Sequence, residues 1–422
     1  MADTGAPPQE SVRARNYRLV AIDSAFVGVV SAAGPFLPVF LVRLGASGGE
    51  VGLLSSIPAL TAVLLAIPVG RWLQRRRNIV PLYSKVRATG WLAYGAMGLI
   101  GALLPAEAAI PLMLATWAAA SVASTAGVVA FPIVMDGAAG PNGRFDLLGR
   151  RWMIAGLSMT ITIALAGQFL RVVPFPGNFA GLLALFSVAG IGSALISRQL
   201  VIPDQAQLAP PAAARSPRLR ALVDLVRAQP SFIRFELRSI AYTASIGLVM
   251  PLLPLFYVRE VQAPDAWIGI IGSAQAAGAV VGYFSAWRIA RRRSGSAILF
   301  PSMLAAAAVP AMLSVVDWLP AVAALAFVAG VAAAGTQLAL FDQLVARIPR
   351  DHGVTFSSVD QTIQNIALIA APSLGGLLAV TVGVRHGLLV ATAVGLLAFV
   401  LFALEPRGRP ALPGRWSGRT DG

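Results

Sequence analysis

The chain has 422 residues, 57% of them hydrophobic and only 12% charged, with a mean hydropathy of +0.75. That leaves too few polar groups to cover a water-facing surface, so the composition places the protein in a membrane. The net charge of +15 does not signal nucleic acid, because the basic residues sit in short loops beside apolar runs; with no cysteine and only two histidines, His352 and His386, both in predicted loops, no metal site and no cofactor is expected.

Twelve apolar runs follow one another, at 19–42, 51–70, 80–104, 109–136, 151–172, 178–197, 237–258, 267–286, 297–316, 319–341, 357–381 and 385–404. Each has about the length a helix needs to cross the hydrocarbon, and none shows the strict alternation of a barrel strand, so an all-α polytopic membrane protein is expected. Ahead of them, residues 1–18 open "MADTGAPPQESVRARN", with no apolar core leading to a cleavage site; the first run is expected to be a retained span and this segment a cytoplasmic tail. Lys and Arg gather on one side of the spans, whereas Arg43, Arg171, Arg259 and Arg385 mark the other. By the positive-inside rule both termini are cytoplasmic and the chain is a multi-pass protein of the cell inner membrane.

Ionisable groups inside spans are costly and are functional candidates by default. In the first span Asp23, in "LVAIDSAFVGVV", is a candidate for proton coupling; the alternative is an interfacial carboxylate at a helix N-terminus beside Arg18. Asp136 ends span four and Asp342 span ten, each a cytoplasmic gate candidate or a solvated helix end. After span six, residues 203–230 are Pro/Ala-rich and basic, a central cytoplasmic linker whose "RLRALVDLVRAQ" segment is expected to lie as an amphipathic helix on the bilayer. The linker separates six-helix bundles at 19–202 and 231–405, with a cytoplasmic tail at 406–422. Span seven opens with Glu236, a second proton-coupling candidate, and Arg238, a gate candidate. In span eleven Asp360 shares a helix face with Gln364 and Asn365 and is the third coupling candidate; the competing reading is a capping pattern, Ser357 followed by Asp360. "GAVVG" (Gly278 to Gly282) has small-residue spacing for close helix packing, and no phosphate-binding Gly-x-x-x-x-Gly-Lys-Ser/Thr loop is present.

The end of the first span, "PFLPVFLVR" (Pro35 to Arg43), recurs as "PLLPLFYVR" (Pro251 to Arg259). After a slip of one residue, Gly52, Ser56, Arg71 and Arg75 match Gly269, Ser273, Arg288 and Arg292, and Gly167 matches Gly375 further on. Helix one therefore repeats as seven, two as eight and five as eleven. Six spans per half make the repeats parallel, related by an axis along the membrane normal, an arrangement that places substrate near the midplane between the halves.

With these features the chain resembles the major facilitator superfamily over essentially its whole length. The residues that carry the resemblance are "GRWLQRRRN" (Gly70 to Asn78), its echo "WRIARRRS" (Trp287 to Ser294), "PNGRFDLLGRRW" into helix five and "APSLGGLLA" in helix eleven. The resemblance implies twelve transmembrane helices as two six-helix repeats and a cytoplasmic gate at Gly70, Gln74, Arg75 and Arg292, with Gln74 at the family's acidic position. It also implies a central cavity lined by helices four, five, seven, eight and ten, where Trp117, Gln168, Tyr242, Gln275 and Gln337 are substrate candidates, joined by Gln364 and Asn365; each alternatively packs helix against helix.

The function expected is secondary active transport of a small solute by alternating access, as proton-coupled efflux of amphipathic compounds. An uncoupled facilitator or a lipid flippase of the same fold is the alternative. An integral-membrane enzyme is disfavoured because it would need a convergent catalytic set, and the spans hold no Cys and no acidic pair at metal-ligand spacing. The partners expected are a small-molecule substrate, the lipid bilayer and protons, with the protein a monomer and nucleic acid excluded.

Overall fold

In hydrocarbon every backbone N–H and C=O must find its partner inside the chain, and a helix satisfies them within a single run. A computed structural model describes residues 9–74, 76, 78–140, 143–202, 224–290, 296–348 and 353–404, and all regular structure among them is helical. The first half comprises α1 (Gln9–Ser31), α2 (Ala33–Arg43), α3 (Gly48–Gln74), α4 (Val80–Leu103), α5 (Ala106–Ala139), α6 (Arg144–Val172) and α7 (Gly177–Ser197). The second comprises α8 (Pro230–Leu255), a π turn (Phe256–Glu260), α9 (Asp265–Ala290), α10 (Ser296–Leu313), α11 (Leu319–Arg347), α12 (Gly353–Thr381) and α13 (Val384–Ala403). Taking α1 with α2 and α8 with the π turn gives twelve spans, ten of them long and apolar enough to cross a membrane by length and composition. The other two, α4 and the shorter α10, pack within the same bundles.

Several helices start earlier than hydropathy suggests. α1 begins at Gln9 and α6 at Arg144, because a helix can run on past the apolar slab where its polar turns find partners. Asn16 supplies one such partner: its amide donates to the Val201 carbonyl at 2.7 Å and accepts from the Val201 N–H at 3.2 Å. Tyr17 donates to the Gly143 carbonyl at 3.0 Å. Residues 9–18 are thus part of the first bundle and not a separate tail. Most of the linker, the first half of its expected surface helix, and the C-terminal tail lie outside the described residues, while residues 224–227 are helical.

The repeated proline phrase takes two forms. Pro35 has no N–H, so the Ser31 carbonyl loses its helical donor, and α1 ends there. In the second copy α8 runs unbroken through Pro251 to Leu255 and opens into the π turn. The connection there is one residue longer, Arg259 to Ala263 against Arg43 to Ala46, and the wider turn absorbs the extra residue.

The same pairings recur in each half: α1 packs on α6 and α7 as α8 packs on α12 and α13, and α4 packs on α5 and α7 as α10 packs on α11 and α13. Between the halves, α3 crosses α12 and α6 crosses α9. Both crossings rest on glycine. A Cβ on Gly48 would lie 2.5 Å from the Gly376 carbonyl oxygen, and one on Gly167 2.7 Å from the Gly269 Cα. Within lipid no hydrophobic effect drives helices together, so such backbone approach supplies the packing energy.

The two ends of the molecule are built differently. Away from the arginine-rich loops, a single apolar core takes Phe36, Phe40 and Phe179 from the first half and Leu252, Phe256 and Ile268 from the second. Ser56 of α3 adds a hydrogen bond to the Ile369 carbonyl of α12 at 2.8 Å. Toward the arginine-rich end the buried side chains form separate clusters. One, around Val80, Tyr83 and Val134, belongs wholly to the first half, and another, around Phe232, Phe235 and Phe356, wholly to the second. The halves are joined at the far end and diverge toward the basic one.

Candidate functional site

Each half carries a polar cluster between its first and fifth spans. In the first half Asp23, 1% exposed, receives hydrogen bonds from Arg87 Nη2 at 3.0 Å, Arg151 Nη1 at 2.6 Å and the Ser193 hydroxyl at 2.5 Å. Arg87 also lies over the Tyr83 ring at 5.0 Å and Arg151 over Phe131 at 5.1 Å. α1, α4, α6 and α7 are thereby fastened at one carboxylate. Because α1 begins fourteen residues earlier, at Gln9, Asp23 is not an interfacial residue at a helix start. Nor is it isolated in hydrocarbon, so the premise behind its coupling role is replaced by a buried ion-pair centre. Arg87 and Arg151 lie inside α4 and α6, and both are buried.

Among the described residues the second cluster has no comparable arginine contact. Gln364 of α12 stands at its middle, its amide nitrogen 3.1 Å from Ser239 Oγ and 3.4 Å from both Glu236 Oε2 and Asp360 Oδ1. Thr243 donates to the Gln364 amide oxygen. Gln364 thus bridges the Glu236 and Asp360 carboxyls across α8 and α12. Glu236 is 3% exposed, and its Oε1 is buried without a hydrogen-bond partner. Since α12 starts at Gly353, Ser357 is not its cap, and the capping reading of Asp360 gives way to a half-buried carboxyl inside the helix.

The other candidates do not gather in one place. Trp117 donates its indole N–H to the Leu54 carbonyl at 2.9 Å and meets Tyr94 edge-on at 5.7 Å, which ties α5 to α3 and α4. Tyr242 is buried beside Thr336, between α8 and α11. Tyr283 donates to the Gln337 side chain on an exposed surface between α9 and α11. Gln168 and Gln275 are exposed, and Asn365 is half-buried on α12. Of the gate candidates, Gly70 and Arg238 are half-buried and Asp136 and Asp342 exposed, all toward the basic end. Arg75, Arg292 and the Gln74 side chain lie outside the described residues. The Ser193, Ser239 and Thr243 hydroxyls were missed, since small hydroxyls in apolar helices give no sequence signal.

Residues 237–420 match the sequence profile of the Major Facilitator Superfamily. A Deinococcus radiodurans protein provisionally named a sugar efflux transporter is 37% identical over 91 residues, 21% of this chain and 23% of that protein. The match thus spans less than a quarter of the curated relative's length. The fold is similar to that of a bacterial homolog of the human lysosomal transporter Spinster, in an inward-facing and occupied conformation, at 16% identity and a TM-score of 0.66, covering 95% of this chain and 97% of that one. It is also similar to the nucleoside transporter NupG, at 13% identity and a TM-score of 0.70, covering 93% and 98%. At those identities the likeness is one of fold.

Proposed function

We propose that the chain, whose residues 237–420 match the Major Facilitator Superfamily profile, is a member of that family and moves a small solute across the cytoplasmic membrane by alternating access, with the arginine-rich end in the cytoplasm. The observation that carries the reading is the shared apolar core at one end and the separate clusters at the other, the form of a cavity open to one side. Rocking one half against the other about the α3/α12 and α6/α9 crossings would exchange which end is open.

The coupling centre in this reading is the Glu236–Asp360 pair. Gln364 links the two carboxyls, and a proton taken up by either lowers the repulsion between them; Glu236 Oε1, buried without a partner, is the oxygen that gains most from carrying it. Its loss would recharge the pair and change how α8 and α12 meet. Asp23, held by two guanidiniums, serves as a fastener within the first half.

In proteoliposomes Glu236→Gln and Asp360→Asn are expected to abolish the pH dependence of flux while binding persists; a pH response retained in both variants would remove the pair from coupling and favour an uncoupled facilitator. The solute is sought by thermal stabilisation across a ligand panel, because a true substrate raises the melting point by mass action. Amphipathic compounds suit the few charges in the cavity-lining candidates, and sugars belong in the panel because of the name carried by the Deinococcus radiodurans relative. A reporter fused to the C-terminus tests the orientation: activity of a periplasm-only reporter there would reverse it.

A further inference from the structure

The two copies of the proline phrase each end in an arginine, and each arginine reaches into the other half. Arg43, the last residue of α2, donates from Nη2 to the Ala263 carbonyl at 2.6 Å and from Nε to Asp265 Oδ1 at 3.1 Å. Arg259, its repeat in the π turn, donates from Nη2 to the Ala46 carbonyl at 2.6 Å. Ala46 and Ala263 are themselves repeats, each the first residue after a left-handed one, Gly45 at φ +102° and Gln262 at φ +48°. Both are fully buried. The same joint is thus built twice and exchanged across the pseudo-twofold axis, each arginine filling the carbonyl that its counterpart's loop presents.

The backbone is shaped for this. A left-handed residue turns the chain sharply, and for a side chain as long as Gln262 that conformation is uncommon. Ala46 N–H is bonded back to the Leu41 carbonyl and Ala263 N–H to the Tyr257 carbonyl, so each loop's donor is used at home and its carbonyl is left facing the partner half. We propose that Arg43 and Arg259 form a reciprocal latch that holds the far end shut, and that both arms must release for that end to open. The proposal rests on the alternating-access reading and goes beyond it by naming the groups that close the end away from the cytoplasmic loops. The arms differ in chemistry. Arg43 has a carboxylate as well as a carbonyl, whereas Arg259 bonds backbone oxygen of Gly45 and Ala46, so no acidic residue in the sequence marks its target.

The chain has no native cysteine, which allows a clean labelling test. Ser56→Cys places a thiol in the α3/α12 crossing at the far end, where Ser56 is 5% exposed. With an impermeant maleimide added from that side, labelling is expected to be slow in the otherwise unchanged protein. It should be about tenfold faster with Arg43→Gln or Arg259→Gln, since losing one charge-assisted arm shifts the open population by that order, and faster again with both. Asp265→Asn, which leaves Arg259 untouched, should give a smaller rise. Gly376→Leu serves as a wedge, because a Cβ there would meet the Gly48 carbonyl oxygen at 2.2 Å. Rates are read on variants that elute as a single species with the unchanged protein's profile. Fast labelling with the wedge but unchanged rates in all the arginine and Asp265 variants would overturn the latch and leave alternation standing. Slow labelling in every variant, the wedge included, would overturn both.

Discussion

Asp23 illustrates how far one carboxylate can organise a bundle. Removing one partner of a buried ion pair leaves the others uncompensated, so Asp23→Asn is expected to destabilise the protein by about 3–5 kcal/mol, seen as a lower thermal midpoint in detergent. The pH profile of flux should be unchanged; a shift would return the coupling role to Asp23. Asn16→Ala removes two hydrogen bonds to Val201 and should cost about 1–2 kcal/mol, with faster amide exchange over the first turns of α1 as the local readout. Much of this was hidden in the sequence for a definable reason. Arg87 and Arg151 sit near loop arginines, and position along the chain does not tell a charge that points into a bundle from one that points to water. Asn16 lies in a stretch that hydropathy reads as tail. Gln364 was visible, because polar residues four apart on an apolar helix share a face, but its place between Glu236 and Asp360 required α8 to be laid beside it.

At the level of helices, the small residues decide which pairs can touch. α9 and α11 approach through Gly278 and Gly330, where a Cβ would fall 2.0 Å from the Phe327 and Gln275 carbonyl oxygens respectively. Gly330→Ala should therefore push the pair apart and cost about 1–3 kcal/mol by thermal melting. Gly90→Ala in α4, where nothing lies within 4 Å of the added carbon, should instead be neutral or stabilising by up to about 1 kcal/mol. Equal losses at both sites would mean that backbone approach is not what the glycines provide. The "GAVVG" spacing announced the first contact, and the repeat announced which helices correspond. What the repeat could not announce was the different outcome of its two proline phrases. A one-residue slip between the copies marked the longer connection after Arg259, yet only the folded chain shows it spent on a π turn while the first copy breaks at Ser31.

For the molecule as a whole, the sequence carried the architecture well and the site poorly, since architecture depends on long periodic runs and a site on where a few side chains meet. The twelve spans, their parallel repetition and the sidedness of their charge follow from local composition; the separation of the halves at one end is a property of contacts between helices far apart in the chain. Spin-label pairs spanning the two halves at the basic end, introduced at Arg198 and Leu404, are expected to show a broad, long distance distribution that shortens when a bound ligand closes that end. An unchanged distribution across ligands and pH would mean the halves are rigidly splayed.

The shared core at the far end also sets how the protein should respond to heat. Opening that mouth brings aromatic and aliphatic surface around Phe36, Phe40 and Phe256 into contact with water, and exposing apolar surface raises the heat capacity. A step that does so has an activation enthalpy that climbs with temperature, whereas the step that opens the basic end buries that surface again, so the two Eyring plots should differ in curvature. Comparing the curvature of influx and efflux rates in oriented vesicles would then reveal which mouth limits turnover.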